Sequence, residues 1–503
     1  MNKPLLLDCT LRDGGYYTNW DFDKQLVDSY ITSLNKLPVD FIEIGYRSTL
    51  KNEYFGEYYY CPLSTVQHIK SQTKIPLAIM LDAKNCKEDD ADDLLSDLVS
   101  LVDLVRIAVS VEGFEHGLTL ARCVKDLGFK VALNIMRSTD LSDQQIIRFF
   151  GKKAEFVDFI YLVDSYGSIF PKEIVSLLSK VQKASTSGIG FHGHNNLELA
   201  FTNSIEAMEG GINIIDFTVL GMGRGAGNLK TELFLTFLKK HYDLDVDLNV
   251  LGKLVQLFSP LKDHYQWGGN LAYITSGAFS LPQKDVMEAL DLNRYSLPTI
   301  VNRLKNDNDN ELIPLNLESK YATCLVVGGG STVRTHLSSI KSLLKANPEY
   351  LVVHATSKFI NEFDNLANMQ FAVVSGDELL KIEKPQVNVS AYVFGPNSLF
   401  VDTFINAARC FAINSVEFIE EFQDSPLAIG LQIGLEAGSD QILLVGFDGY
   451  EELKSRKELY LMNENQKIID KYSCRQKITA LTPSKYSNID KNSIYWAIYS
   501  ASR

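Results

Sequence analysis

The chain has 503 residues, 46% of them apolar and 22% charged, with a formal net charge of −13. That length exceeds one ordinary core and predicts at least two domains, and the apolar share leaves little room for extended disorder. The acidic balance repels phosphate backbones and anionic head groups, which argues against nucleic acid and membrane surfaces as partners. Seven cysteines, odd in number, widely spaced and without a C-x-x-C pair, are the usage of reduced thiols in a cytoplasmic protein. The opening MNKPLLLDCTLRDGG holds only a three-residue Leu run, far short of a signal-peptide core, and the chain has no apolar stretch of roughly twenty residues, so no membrane span is expected.

In chain order, short β-rich runs alternate with longer helical stretches. The expected strands are LLLDCT (5–10), FIEIGY (41–46), PLAIML (76–81), LVRIAVS (104–110), KVALNIM (130–136), FIYLVD (159–164), GIGFHGH (188–194) and IIDFTVL (214–220). Between them, segments such as DKQLVDSYITSLNKL and EDDADDLLSDLVSLV repeat apolar residues at spacings of three and four, the pattern of amphipathic helices. Eight β-then-α units in the first 245 residues predict a (β/α)₈ TIM barrel. An open doubly wound sheet would more often carry a Gly-rich fingerprint after its first strand, where this chain has TLRDGGYY.

From about residue 246 the pattern turns helical, and the polar run NDNDNE (306–311) predicts a surface loop or linker. The expected organisation is a barrel over 1–245, a helical extension and linker over 246–318, and a Rossmann-like three-layer α/β domain over 319–503. That last domain takes its strands from ATCLVVG, EYLVVHA, QFAVVSG, VSAYVFG, ILLVGF and KITALT.

Active sites of a (β/α)₈ barrel lie where strands give way to the loops after them. His192 and His194 stand there at the seventh strand, and alternation with a period of two points both rings the same way. An isolated H-x-H also fits histidines hydrogen-bonded to their neighbours. After the first strand come Arg12 and Asp13, with Gly14 and Gly15 expected to let the backbone turn sharply toward a ligand. One carboxylate with two imidazoles suits Mn²⁺, Mg²⁺, Co²⁺ or Zn²⁺ with positions left for substrate; Arg12 and Asp13 also fit a solvated turn. Glu43, within the apolar FIEIGY, needs a cationic partner if buried inside, for which Arg12 is the candidate, or it points between barrel and helices. The eighth strand runs into the glycine-dense GMGRGAGN, ending on Asn228. Asp164, ending the sixth strand, either supports the site or caps the next helix. Among strand ends no Lys stands out as a Schiff-base nucleophile.

In that order, DCTLRDGG, IEIGY, FHGHNN and GMGRGAGN resemble the motifs of the DRE-TIM metallolyases, closest to the 4-hydroxy-2-oxovalerate aldolase branch, over residues 3–240. The resemblance implies that Asp13, His192 and His194 bind a divalent metal, with Mn²⁺ favoured, and that Arg12 stabilises an enolate oxygen with Glu43 as the motif's third letter. Asn228 matches a metal ligand of the 3-hydroxy-3-methylglutaryl-CoA lyase branch. The implied activity is that of a carbon–carbon lyase making or cleaving a 4-hydroxy-2-oxo acid through pyruvate enolate. Its partners would be pyruvate or another 2-oxo acid and an aldehyde, a sugar-derived one if the chain serves polysaccharide synthesis, in a homo-oligomer. The family's aldolases carry a His base where this chain has Tyr16, followed by Tyr17. A tyrosine near its ordinary pKa of about 10 is a poor base unless a cation assists, so either Tyr16 or Tyr17 carries the proton with help from the metal or Arg12, or another group such as Tyr166 does, or the reaction differs and Tyr16 is a packing aromatic. The alternatives are a Claisen-type acyl-CoA condensation on the same barrel, or a nucleotide-sugar transferase whose activity lies in the second domain. There, Gly328–Gly329–Gly330–Ser331 fits either a phosphate cradle or a tight βα turn, and Asp448 offers a sugar or ribose contact.

Overall fold

In the computed structural model, residues 3–501 are described apart from 139–140, 152–155, 292–294, 306–311, 318, 383–384, 397–408 and 451–455. The run expected as a linker, NDNDNE, therefore lies outside the described residues. The chain divides into two compact units, Met1–Met287 and Glu288–Arg503.

The first unit is a closed barrel of eight parallel strands in chain order: β1 Leu5–Asp8, β2 Phe41–Tyr46, β3 Leu77–Asp82, β4 Leu104–Val109, β5 Lys130–Ile135, β6 Phe159–Asp164, β7 Gly188–Gly193 and β8 Ile214–Phe217. Pairing of β1 with β8, Leu5 opposite Ile214 through Asp8 opposite Phe217, closes the ring. Parallel strands buried on both faces read as near-continuous apolar runs, and period-two alternation then sorts each run. Leu6, Ile42, Val105 and Ile215 face outward into the large core shared with the helices. Leu7, Phe41, Leu104, Tyr161 and Ile214 fill the interior. The inward positions next along β2, β4 and β8 hold Glu43, Arg106 and Asp216, all buried.

Two local expectations are corrected. TLRDGGYYT forms a helix, Thr10–Thr18, rather than a sharp glycine turn. Gly14 and Gly15 are absent from the positive-φ residues; their value is space. A Cβ on Gly14 would lie 2.6 Å from Met222 Sδ, and one on Gly15 only 2.1 Å from the Trp20 ring. The eighth strand ends at Phe217, because a 3₁₀ turn over Val219–Gly221 intervenes before the glycine loop.

The helices of 246–318 are shared between the units: Leu248–Tyr265 and Leu271–Ala278 lie in the first, Leu297–Lys305 in the second. The second unit is built on a nine-stranded parallel sheet. Its strands are β9 Ile313–Pro314, β10 Thr323–Val327, β11 Leu351–His354, β12 Gln370–Val374, β13 Ala391–Phe394, β14 Cys410–Ala412, β15 Gln441–Val445, β16 Ile478–Ala480 and β17 Asp490–Lys491. Six were expected. The three others, β9, β14 and β17, are two or three residues long, too short to display a period. The spatial order is β17-β16-β15-β10-β11-β12-β13-β14-β9. One face packs Ile340, Leu343, Leu344 and Ile494. The other packs Leu431, Ile433, Ile468 and Tyr472, and on it the helix Pro426–Glu436 is buried over eight consecutive residues, Leu427 to Gly434, as its apolar composition all round requires.

Candidate active site

The strand ends of the barrel gather the residues singled out in the sequence. Arg12 Nε donates to Glu43 Oε2 at 2.8 Å and its Nη1 to Asp13 Oδ1 at 2.5 Å, all three groups buried. Glu43 thus points into the barrel. Its carboxylate is shared with Arg106, whose Nη1 donates to Oε2 at 2.9 Å while Nη2 donates to Asp216 Oδ2 at 2.5 Å. The Arg106 guanidinium also covers the Tyr161 ring at 4.2 Å.

Asp216 continues the chain to His192, 2.8 Å from Oδ2 to Nδ1. His194 Nδ1 lies 2.7 Å from the Asp164 carbonyl, so it is the N–H donor there. With both Nδ1 atoms engaged, each ring keeps Nε2 for a ligand, the arrangement metal-binding histidines adopt. His192 Nε2 is 3.8 Å from Asp13 Oδ2, and ligand atoms of Asp13, His192 and His194 all fall within 4.8 Å of one another. Atoms bound at roughly 2.0–2.2 Å to one ion stand about 3–4 Å apart, so this set is near that spacing. Burial opposes the Asp13 charge, but Arg12 and the two histidines hold its carboxyl well below the usual carboxylate range. Burial and the neighbouring His192 push His194 down to about 3, leaving it a neutral imidazole able to ligate.

The glycine-dense loop closes the site. Asn228 Nδ2 donates to Asp13 Oδ2, while Asn228 Oδ1 is buried and finds no hydrogen-bond partner among the described residues. A Cβ on Gly223 would lie 2.4 Å from Asn228 Nδ2 and 2.8 Å from Asp13 Oδ2, so only glycine leaves this space open. An N₂O donor set with its outer nitrogens already satisfied, plus an orphaned amide oxygen beside it, fits a divalent cation. A second grouping, Cys9, His192 and Asp216, lies on the other side of the His192 ring. There Arg106 already takes Asp216, and burial pushes the Cys9 thiol up, away from the thiolate a metal requires.

Tyr16 also reaches this region: its hydroxyl is 3.2 Å from that of Tyr46, and the Arg224 guanidinium lies over its ring at 4.5 Å. Arg224 Nε is buried without a hydrogen-bond partner among the described residues. Tyr17 turns away to donate to the Gly225 carbonyl at 3.1 Å and packs against Tyr265 and Trp267 from the tail after the barrel. Of the two expectations for Asp164, support of the site holds, since its carbonyl orients His194; its carboxylate does not cap the next helix, whose N-cap is Phe170, but accepts from the Ser168 and Ile169 amides of the loop before it. Sequence reasoning missed Arg106, Asp216, Tyr46 and Arg224. For the first two the signal was the one that flagged Glu43, a charge at an inward position of an apolar strand. Tyr46 and Arg224 carry no such mark, since their roles depend on which loops meet.

The HMGL-like family matches residues 108–257. Over 258 residues the chain is 30% identical to the oxaloacetate decarboxylase of Mycobacterium tuberculosis, covering 49% of this chain and 74% of that protein. It is 26% identical over 268 residues to a 4-hydroxy-2-oxovalerate aldolase of Pelotomaculum thermopropionicum, covering 51% and 76% respectively. Among solved structures, the N-terminal domain of a candidate aldolase from Bacteroides vulgatus is 45% identical, with a TM-score of 0.57, across 60% of this chain and all of that one. A pyruvate carboxylase of Rhizobium etli, 14% identical with a TM-score of 0.50, covering 60% of this chain and 33% of its own, shares the fold. With the four motifs meeting at one end of the barrel and these relatives covering its length, the chain belongs to the HMGL-like family and is a DRE-TIM lyase.

Proposed function

We propose that the barrel makes or cleaves a 4-hydroxy-2-oxo acid through the enolate of pyruvate, using Mn²⁺. The observation that carries this reading is the meeting of Asp13, His192 and His194 with a guanidinium, Arg12, already fixed by two carboxylates. A divalent cation held by Asp13, His192 and His194, beside Asn228 Oδ1, would supply Lewis-acid polarisation of the 2-oxo carbonyl. Arg12 stands where negative charge develops on that oxygen, and needs no reorganisation because Glu43 and Asp13 hold it before substrate arrives.

In the cleavage direction the 4-hydroxyl gives up its proton, the C3–C4 bond breaks, its electron pair enters the enolate and an aldehyde leaves. We assign the transfer to Tyr16, whose hydroxyl accepts the 4-hydroxyl proton as it releases its own to solvent, with Tyr46 hydrogen-bonded to it and the Arg224 cation over its ring. Tyr17 is unsuited to the task, since burial pushes its hydroxyl well above the ordinary value. Arg224, with a buried donor to spare, suits an anionic end of the substrate.

One observation favours a second reading. Decarboxylation of oxaloacetate yields the same enolate by loss of CO₂ and needs no base for a 4-hydroxyl, which agrees with Tyr16 standing at the position where the aldolase resemblance implies a histidine base. Coupled pyruvate detection with Mn²⁺, on a panel of 4-hydroxy-2-oxo acids beside oxaloacetate, separates the two. The aldolase reading expects pyruvate from the panel, lost in Asp13→Ala and in Tyr16→Phe. Turnover of oxaloacetate alone, insensitive to Tyr16→Phe, would establish decarboxylation, and undiminished activity in Asp13→Ala would overturn both.

A further inference from the structure

The second unit contains a crevice that the barrel chemistry does not use. From β10 the chain moves outward through β11 to β14, then returns to the other side of β10 for β15 and continues to β16 and β17. The loops leaving β10 and β15 therefore part: the helix after β10, Leu337–Ala346, packs on one face, and the helix after β15, Arg456–Ser473, packs Ile468, Ile469 and Tyr472 on the other. In open α/β sheets the gap between two such loops, at the carboxyl ends of the strands, is where ligands bind. Here it is a cavity of about 370 Å³ whose walls include Gly329–Ser331, Gly446–Tyr450, Asn465 and Tyr486, within the size range of small-molecule sites.

The floor is backbone. Gly328 and Gly330 donate to the carbonyls of Val445 and Gly446 at 2.8 Å each. A Cβ on Gly328 would lie 2.6 Å from the Gly446 oxygen, and Gly446 itself has a φ of +74°. On this floor rests Asp448. Its carboxylate accepts from Thr332 N at 3.0 Å, Ser331 Oγ at 3.3 Å and the Thr332 hydroxyl, which lies 3.1 Å from that of Thr482. A Cβ on Gly330 would meet that carboxylate at 2.4–2.5 Å. The place the sequence suggested for a phosphate is thus filled by a protein carboxylate, which repels a second anion. Among the described residues the lining contains neither Lys nor Arg, and Lys358 spends its ammonium on the Gly329 carbonyl, 2.7 Å away. What remains is a fixed acceptor, the hydroxyls of Ser331, Tyr450 and Tyr486, the Asn465 amide and the ring of Phe447. A carboxylate, an amide and aromatic walls match a ring bearing adjacent hydroxyls: Asp448 Oδ2 already accepts twice, so Oδ1 takes one O–H beside the Thr332 hydroxyl, the Asn465 amide oxygen takes its neighbour, and C–H faces lie against the aromatics.

We propose that this crevice binds an uncharged vicinal diol, in a sugar ring or in the ribose of a nucleoside, with Asp448 and Asn465 as its polar contacts. The test is saturation-transfer NMR and calorimetry on the full chain with glucose, galactose, mannose and N-acetylglucosamine, and separately with uridine, cytidine, adenosine and guanosine beside their 2′-deoxy counterparts. Binding of an aldose, or of a nucleoside with loss in its 2′-deoxy form, supports the proposal and identifies the source of the diol. Asp448→Asn and Asn465→Ala should each weaken it by about tenfold or more. Asn465→Ala leaves the glycine loops untouched and so keeps the result readable if Asp448→Asn perturbs them. Absence of binding by every member overturns the proposal, as does inorganic phosphate or a nucleotide binding equally well or better in Asp448→Asn.

Discussion

Arg106 is the residue on which the interior of the barrel is balanced, and Arg106→Met tests that directly. The guanidinium is fully buried and ties Glu43 on β2 to Asp216 on β8. Methionine keeps much of the side-chain volume and removes the charge. After the change Glu43 retains Arg12 and Asp216 keeps the His192 ring, but among the described residues Asp216 has no second guanidinium, so one buried carboxylate loses its cationic partner. Breaking a buried ion pair by deleting one partner costs about 3–5 kcal/mol, and the upper part of that range applies because two pairs break together. Urea unfolding followed by tryptophan emission reads this, since Trp20 and Trp267 are both buried in the barrel unit. Manganese titration should show weaker binding as well, because Asp216 no longer has its fixed orientation against His192. The companion Arg106→Met with Asp216→Asn should recover part of the loss, the buried charge having gone with its partner. A single variant within about 1 kcal/mol of the parent, with metal affinity intact, would refute the argument.

Gly223→Ala should lower Mn²⁺ affinity by about tenfold to a hundredfold in a calorimetric titration, because the new methyl group overlaps Asn228 and Asp13; unchanged affinity would show that the loop relaxes freely. Arg224→Gln should raise KM for the 2-oxo acid by roughly tenfold with little change in kcat, the signature of lost binding common to ground and transition states. His354 offers a pH test in the second unit. Burial pushes it down to about 4, with Gln370 Oε1 2.9 Å from its Nε2. Its unfolded form binds a proton near pH 6.5, so the contribution is complete above that pH and is lost as pH falls through 4, amounting to about 3 kcal/mol. His354→Phe should flatten the difference in melting temperature between pH 7 and pH 4.5, and a slope identical to the parent's would exclude His354 as its source.

The range of each interaction explains why some of this was legible in the sequence and some was not. Period-two runs and three-four spacings are local, so the eight barrel strands and their helices could be read from FIEIGY or FIYLVD alone. The pairing of Glu43 with Arg12 was legible because a carboxylate in an apolar strand must find a cation nearby. Where a segment's conformation depends on what packs over it, local reading failed. DCTLRDGG reads as a turn until Met222, from the distant loop after the eighth strand, and Trp20, just past the helix end, occupy the space its glycines leave. The Gly328–Ser331 loop reads as an anion cradle or a tight βα turn, and only Asp448, more than a hundred residues away, decides for the turn by filling the cradle. The sequence by itself determined the alternation of elements and the donor types at the strand ends, since both arise from side-chain chemistry at short spacing. Only the tertiary structure decided that Arg106 and Asp216 join β4 to β8, that Tyr16 lies beneath Arg224, and that the second sheet parts between β10 and β15. Closure of a ring and the order of strands in a sheet are contacts between distant segments, which no local pattern encodes.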